Sequence, residues 1–117
     1  TDPTYDQMLD FLEEDITNEN SYTSSYVCSD FATDVCNNAE ESGIRCAFVI
    51  IDHPHSGHAI IAFNTSDEGL VYIEPQTDEL VELEVGERYH QCIIPAEGYF
   101  HSAPAYDDTI LKFLVAW

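Results

Sequence analysis

The feature that most constrains the fold is a change of hydrophobic periodicity near Gly43. Before Gly43, apolar residues recur at steps of three and four, which is the spacing of one face of an α-helix. After Gly43, short apolar runs alternate with turn residues, which is typical of β-strands. The 117 residues suit a single domain over 1–117, and we predict an α+β fold with helices packed on an antiparallel β-sheet.

Two amphipathic helices are predicted in the first part of the chain. The first begins at Asp2-Pro3, where an acidic N-cap precedes a proline suited to the first turn. The second is capped by Ser24 or Ser25 and ended by Gly43, after a polar loop over 17–25. Its apolar face comprises Cys28, Phe31, Ala32, Val35, Cys36 and Ala39.

Strands are predicted over the second part of the chain, with loops at 52–57 and 95–104. The Asp67-Glu68-Gly69 turn joins two of them into a hairpin that places His58 and Glu74 at the same end of the sheet. Their expected offset is about three residues, or roughly 10 Å along a strand. The predicted strands cover 46–51, 58–63, 70–73, 79–85, 89–94 and 109–117.

The charge of the chain excludes several classes of partner. Twenty-three acidic residues face three basic ones, for a formal net charge of −20, so no basic footprint for nucleic acid exists. Anionic membrane surfaces are disfavoured, and no apolar run is long enough to span a bilayer. We expect a monomer. The acidic surface suits a basic peptide or protein, or is a solvated surface such as a saline habitat would favour.

Three residues form a candidate catalytic set. Cys28 lies at a helix start, where free backbone N–H groups and the helix dipole stabilise an anion. A neighbouring imidazolium lowers the pKa of a thiol, and a carboxylate on the other ring nitrogen fixes the orientation of the imidazole. We therefore predict Cys28 as nucleophile, His58 as the group that moves the proton and Glu74 as the group that orients His58, with no cofactor.

Three sequence motifs resemble those of a known family. The helix start 26–32 (Tyr-Val-Cys-Ser-Asp-Phe-Ala), the strand 57–59 (Gly-His-Ala) and the strand end 71–75 (Val-Tyr-Ile-Glu-Pro) are similar, in order and spacing, to the transglutaminase-like core of the papain-like cysteine protease superfamily. The resemblance covers about half of the chain. It implies a papain-like fold and acyl transfer through a thioester, by a cysteine peptidase, an amidase or a transglutaminase-like enzyme acting on a protein or peptide. Glu74 departs from the usual Asp, and Ile60 from a frequent aromatic residue.

Several further residues are candidates near this set. Tyr26, Ser29 and His55 are expected to line the substrate cleft or to stabilise an oxyanion, and Asp78 is the alternative to Glu74. Two other functions stay open. One is a catalytically inactive binding or cell-surface domain, and the other is a metal-binding module built on His53, His55 and His58, although we expect no metal.

The remaining cysteines and the start of the sequence bear on the cellular location of the protein. Cys36, Cys46 and Cys92 are expected in the core, and a disulfide between Cys36 and Cys46 is left open. The sequence starts at Thr1 rather than at Met, which we interpret as a processed chain or an excised domain. Together with the family resemblance, this favours a secreted or cell-surface location.

Overall fold

The computed structural model describes the whole chain, Thr1–Trp117. None of its helices has the length and apolar character that a bilayer crossing requires. The elements are helices α1 (Tyr5–Glu14), α2 (Cys28–Glu41) and the single turn α3 (Tyr89–Cys92), a 3₁₀ turn (Thr17–Glu19), and strands β1 (Ala47–Asp52), β2 (Gly57–Thr65), β3 (Gly69–Glu74), β4 (Glu79–Val81) and β5 (Lys112–Ala116).

The five strands form one antiparallel sheet in the order β4-β3-β2-β1-β5. Ile61 of β2 pairs with Ile73 of β3. Continuing that register by one position places Glu74 opposite Ile60, two residues from His58. Side chains at such diagonal positions are within reach of each other, so the predicted offset of three residues was too large.

Both faces of the sheet are covered, which explains why Ala59–Phe63 of β2 is buried without interruption. On one face, α1 and α2 pack their apolar stripes against alternate residues of β2 and β3. On the other face, the chain over 81–110 closes a second apolar cluster. The first cluster includes Met8, Phe11, Leu12, Ala32, Val35, Ala39, Ile61, Phe63 and Ile73, and the second includes Val49, Ile51, Ile60, Ala62, Val81, Tyr89, Cys92 and Ile110.

Helix α1 begins two residues later than predicted. Thr4, and not Asp2, is its N-cap: the Thr4 hydroxyl accepts from the Gln7 N–H at 3.2 Å, and the Gln7 amide oxygen accepts from the Thr4 N–H at 2.9 Å. This reciprocal pair is a capping box, which satisfies two backbone donors at once. The helix also stops before Ile16, which is 68% exposed and adds nothing to the apolar stripe.

Helix α2 begins at Cys28, and neither Ser24 nor Ser25 caps it. Val27 is the N-cap residue, and the Asp30 carboxylate accepts from the Val27 N–H at 2.8 Å. An acid at this position also complements the positive end of the helix dipole. The predicted end is confirmed, because Gly43 has φ +78° and follows the last turn of the helix.

The chain between β4 and β5 differs from the prediction. The predicted strand at 89–94 is the single helical turn α3, and the predicted strand at 79–85 stops at Val81. The buried carboxylate of Asp108 accounts for the helical turn α3, because it accepts from Arg88 Nε and from the His90 N–H at 2.9 Å. The final strand prediction is confirmed by β5, which pairs with β1.

Candidate functional site

The three predicted catalytic residues meet at one end of the sheet. Nε2 of His58 lies 2.5 Å from Oε1 of Glu74. On the other side, hydrogen bonding to His58 lowers the pKa of the Cys28 thiol below its usual value, against the opposing effect of burial. The N–H groups of Ala59 and Ser29 lower that pKa further. The site therefore favours a thiolate at the start of α2.

His58 is the charged partner of this thiolate. Burial alone would lower the pKa of His58, but hydrogen bonds to Cys28 and Glu74 and their negative charges raise it to about 9. Moving a proton from Cys28 to His58 gives an ion pair without changing the number of protons that the folded chain binds.

Glu74 is held in place by two further hydrogen bonds. Its Oε1 accepts from the Tyr89 hydroxyl at 3.0 Å, and its Oε2 accepts from the Gln76 N–H at 3.1 Å. The ring of Tyr89 lies 4.9 Å from that of His58, between centroids. Glu74 is thus a buried carboxylate with an imidazole, a phenol and a backbone N–H as donors, which is the condition under which a buried charge is tolerated.

Tyr89 is the residue of this site that the sequence analysis missed. It lay in a predicted strand, and no motif singles it out. The signal available was general: a buried tyrosine needs a partner for its hydroxyl, and here that partner is Glu74.

Of the other residues predicted to lie near the nucleophile, the structure places one beside the thiol and the rest elsewhere. The backbone N–H of Ser29 faces the Cys28 thiol. The hydroxyl of Tyr26 instead donates to Asp34 at 2.5 Å, which turns it away from the cleft. His55 is exposed in the turn between β1 and β2. Asp78, the alternative to Glu74, makes no hydrogen bond to His58.

The three histidines of the proposed metal module are not brought around one point. His53 is buried and its Nδ1 lies 3.1 Å from the carbonyl oxygen of Thr109. His55 is exposed, and His58 is bound to Glu74. The chain contains no group of three His, Cys, Asp or Glu side chains arranged for a metal ion.

The loop over 95–106 adds two cavities beside this site. A cavity of about 190 Å³ borders His58 and Glu74 and extends to Tyr106. A second cavity, of about 280 Å³, lies at the first part of the loop, between β4 and two aromatic side chains. Those side chains, Tyr99 and Phe100, are 73% and 83% exposed. The second cavity is lined by Thr77, Glu79, Ala96, Tyr99, Phe100 and His101.

Glu79 fixes the loop to the sheet. Its carboxylate accepts from the Ala96 N–H at 2.6 Å and lies 2.8 Å from Nε2 of His101. Burial acts to raise the pKa of Glu79, but hydrogen bonds from Thr77, Ala96 and His101 outweigh it and the pKa is lowered. The loop is therefore held at both ends of the aromatic pair by one ionised carboxylate.

A larger apolar groove lies away from these residues. Its volume is about 650 Å³, and Tyr5 borders it together with β3 and β4. It contains none of the residues of the Cys28–His58–Glu74 site.

Comparison with known proteins finds several similar solved chains, and two of them are informative. No family model matches the chain, and no curated protein matches it. The Polyporus squamosus lectin bound to the human-type influenza-binding epitope Neu5Acα2-6Galβ1-4GlcNAc is similar at a TM-score of 0.58 and 19% identity, over 66% of this chain and 32% of the lectin chain. A PSL1a–E64 complex is similar at a TM-score of 0.59 and 19% identity, over 66% of this chain and 33% of the chain in that structure. The chain thus spans about a third of the length of these structures.

These comparisons correct the family assignment. The fold is a small antiparallel sheet of five strands with a few helices, and its solved neighbours include a lectin, whereas no family model supports a transglutaminase-like or papain-like assignment. The prediction of a papain-like fold, and of a thiol-dependent acyl-transfer enzyme such as a cysteine peptidase, is wrong by this finding. Motifs of three to seven residues describe a helix start or a strand end, and such local geometry recurs in many folds.

Proposed function

We propose that this chain is a carbohydrate-binding domain. The observation that carries the proposal is the exposed pair Tyr99 and Phe100 on an anchored loop, in a fold similar to that of a lectin. Aromatic rings offer a flat apolar surface at little conformational cost, and the C–H face of a sugar ring packs on such a surface. A loop on a rigid sheet is also a common place for a binding site.

The cavity beside the aromatic pair supplies the polar contacts that a sugar needs. Its volume of about 280 Å³ is at the lower end for a ligand pocket, which suits one sugar ring. The carboxylate of Glu79 and the hydroxyl of Thr77 can accept hydrogen bonds from sugar hydroxyls, and His101 lies beside them. Because Glu79 and His101 already hold each other, the polar groups are oriented before the ligand arrives.

The charge of the chain selects among saccharides. The Polyporus squamosus lectin was solved with a sialylated epitope, which is an anion. At a net charge of −20, this chain repels an anionic ligand, and the repulsion is strongest at low ionic strength. We therefore propose a neutral saccharide as its ligand.

A titration with two saccharides tests this proposal. Isothermal titration with Galβ1-4GlcNAc and with its α2-6-sialylated form, at low and at high salt, compares the same sugar core without and with the anionic residue. We expect the neutral saccharide to bind, and the sialylated form to bind more weakly with a difference that shrinks at high salt. Absence of binding by either saccharide, or tighter binding of the sialylated form, would overturn the proposal.

A second proposal concerns the thiol site. We propose that Cys28 is a reactive thiolate, that His58 is its proton partner and that Glu74 orients His58. The lowered pKa of Cys28, which His58 causes, and the 2.5 Å contact between His58 and Glu74 support this. Incubation at pH 6 with iodoacetamide, followed by peptide mapping, is expected to place the label on Cys28 before any other cysteine.

A further inference from the structure

A pair of cysteines lies in contact in the second half of α2, away from Cys28. The sulfur atoms of Cys36 and Cys46 are 3.1 Å apart. Cys36 lies on α2, and Cys46 immediately precedes β1. The two residues are brought together by the end of α2 and the turn at Gly43.

We infer that Cys36 and Cys46 form a reversible disulfide that links α2 to the sheet. A disulfide bond is about 2.05 Å long, so closure requires the two sulfur atoms to approach by roughly 1 Å. This approach is within reach of small side-chain rotations, and the backbone connection between the two elements is already in place. The inference depends neither on saccharide binding nor on the reactivity of Cys28.

The two thiols have different roles in closure. Cys36 is partly exposed, whereas Cys46 is 4% exposed, so a small disulfide reaches Cys36 first. Hydrogen bonding to Cys36 and burial raise the pKa of Cys46, which makes Cys46 unreactive toward solvent on its own. Its proximity to Cys36 compensates for this, since closure is intramolecular.

The reaction is a thiol–disulfide exchange with a low-molecular-weight disulfide as oxidant. The Cys36 thiolate attacks one sulfur of that disulfide, forms a mixed disulfide and releases one small thiol. The Cys46 thiolate then attacks the sulfur of Cys36 and releases the second small thiol. Two protein thiols are oxidised by two electrons, one small disulfide is reduced to two thiols, and both protons end on the released thiols.

The link would stabilise the elements that carry the thiol site. Helix α2 has Cys28 at its start, and β1 pairs with β2, which carries His58. A disulfide between α2 and the start of β1 closes the loop from Cys36 to Cys46 and so lowers the conformational entropy of the unfolded chain. For a loop of this length we expect Tm to rise by roughly 10 °C.

The test is oxidation of the whole chain with oxidised glutathione. In the non-reducing peptide map we expect a 36–46 cross-link whose two peptides together have lost two hydrogens, with glutathione taken up by Cys28 scored separately, and we expect a higher Tm that dithiothreitol reverses. Cys36→Ser should abolish the cross-link, and Cys92→Ser is the matched control that should retain it. A stable glutathione adduct on Cys36, a cross-link between any other pair, or four intact thiols in the wild-type chain would overturn the inference. Because the wild-type map decides the outcome, misfolding of a variant does not affect the test.

Discussion

His58 and Glu74 are joined by a 2.5 Å contact between Nε2 and Oε1, although their backbones lie two register positions apart. The extra methylene of Glu relative to Asp helps to span this diagonal. Tyr89 completes the arrangement from the segment that covers the same face of the sheet. The contact therefore depends on the register of β2 with β3 and on the covering segment at once.

Replacing the Glu74 carboxylate by an amide should destabilise the fold. Glu74→Gln keeps the volume but removes the charge that the His58 imidazolium faces, and it places an NH₂ group among donors. We expect a loss of about 2–3 kcal/mol in the free energy of unfolding, because a hydrogen-bonded buried charge is lost. Urea denaturation of the wild-type chain and of Glu74→Gln measures this loss.

Glu82→Gln is the matched control for this substitution. Glu82 is exposed on the chain after β4, and the same chemical change there is expected to alter stability by less than about 0.5 kcal/mol. Equal effects of the two substitutions would contradict the assigned role of Glu74.

Removing the imidazole should slow alkylation of Cys28. In His58→Ala the hydrogen bond that lowers the pKa of Cys28 is absent, so the thiolate fraction at pH 6 falls. Each unit of pKa changes that fraction about tenfold, and we expect the rate of iodoacetamide labelling to fall about tenfold or more. His55→Ala is the control, because His55 is exposed and does not contribute to the lowered pKa of Cys28. A wild-type rate in His58→Ala would show that Cys28 reacts as an ordinary thiol.

Asp78 gives the stability of the chain a pH dependence of predictable sign. Burial, and then the charge of Asp15, raise the pKa of Asp78 from 3.8 to about 7. The folded chain thus binds more protons than the unfolded chain between those values. The contribution of Asp78 is fully present below pH 3.8 and is lost as pH rises toward 7.

Asp78→Asn removes the cost of burying the ionised carboxylate and should raise Tm by a few degrees at pH 8, with no change at pH 3.5, where Asp78 is protonated. The left-handed backbone of Asp78, at φ +61°, is also well tolerated by Asn. Asp10→Asn, on the exposed face of α1, controls for the general relief of negative charge. If Asp10→Asn gives the same pH-dependent gain in thermal scans, the effect does not come from Asp78.

The sequence predicts the parts of this chain in which one physical signal dominates. Periodicity predicts α1, α2 and most strands of the sheet, and the short turn at Asp67 fixes which end of the sheet holds both His58 and Glu74. The sequence does not predict α3, because Asp108 determines that turn from about twenty residues away. It does not predict Tyr89 as a partner of Glu74 for the same reason: the contact is tertiary and leaves no local pattern.

The family resemblance failed for a related reason. Its motifs lie at a helix start and at strand ends, and the structure does place Cys28, His58 and Glu74 together there. The local placement of these residues does not establish membership of a family, however, and it is the family assignment that the comparisons contradict. The loop that carries Tyr99 and Phe100 showed no motif at all, and only the folded chain reveals their exposure.

Truncating one aromatic side chain should weaken saccharide binding. Phe100→Ala removes one of the two exposed rings beside the cavity and leaves Glu79 in place. We expect Kd for Galβ1-4GlcNAc to rise about tenfold, which corresponds to about 1.4 kcal/mol. Leu114→Ala, at a 64% exposed position of β5, removes apolar surface elsewhere and should leave Kd unchanged. Similar losses in both variants would indicate non-specific adsorption.

The most direct measurement of the central claim is a ¹H–¹⁵N NMR titration of the chain with Galβ1-4GlcNAc. We predict saturable shifts for the amides of 96–101 and for those of Thr77 and Glu79, with the other face of the sheet unaffected. Absence of shifts at millimolar saccharide, or shifts confined to the apolar groove between β3 and β4, would contradict the assignment of this loop as a carbohydrate site.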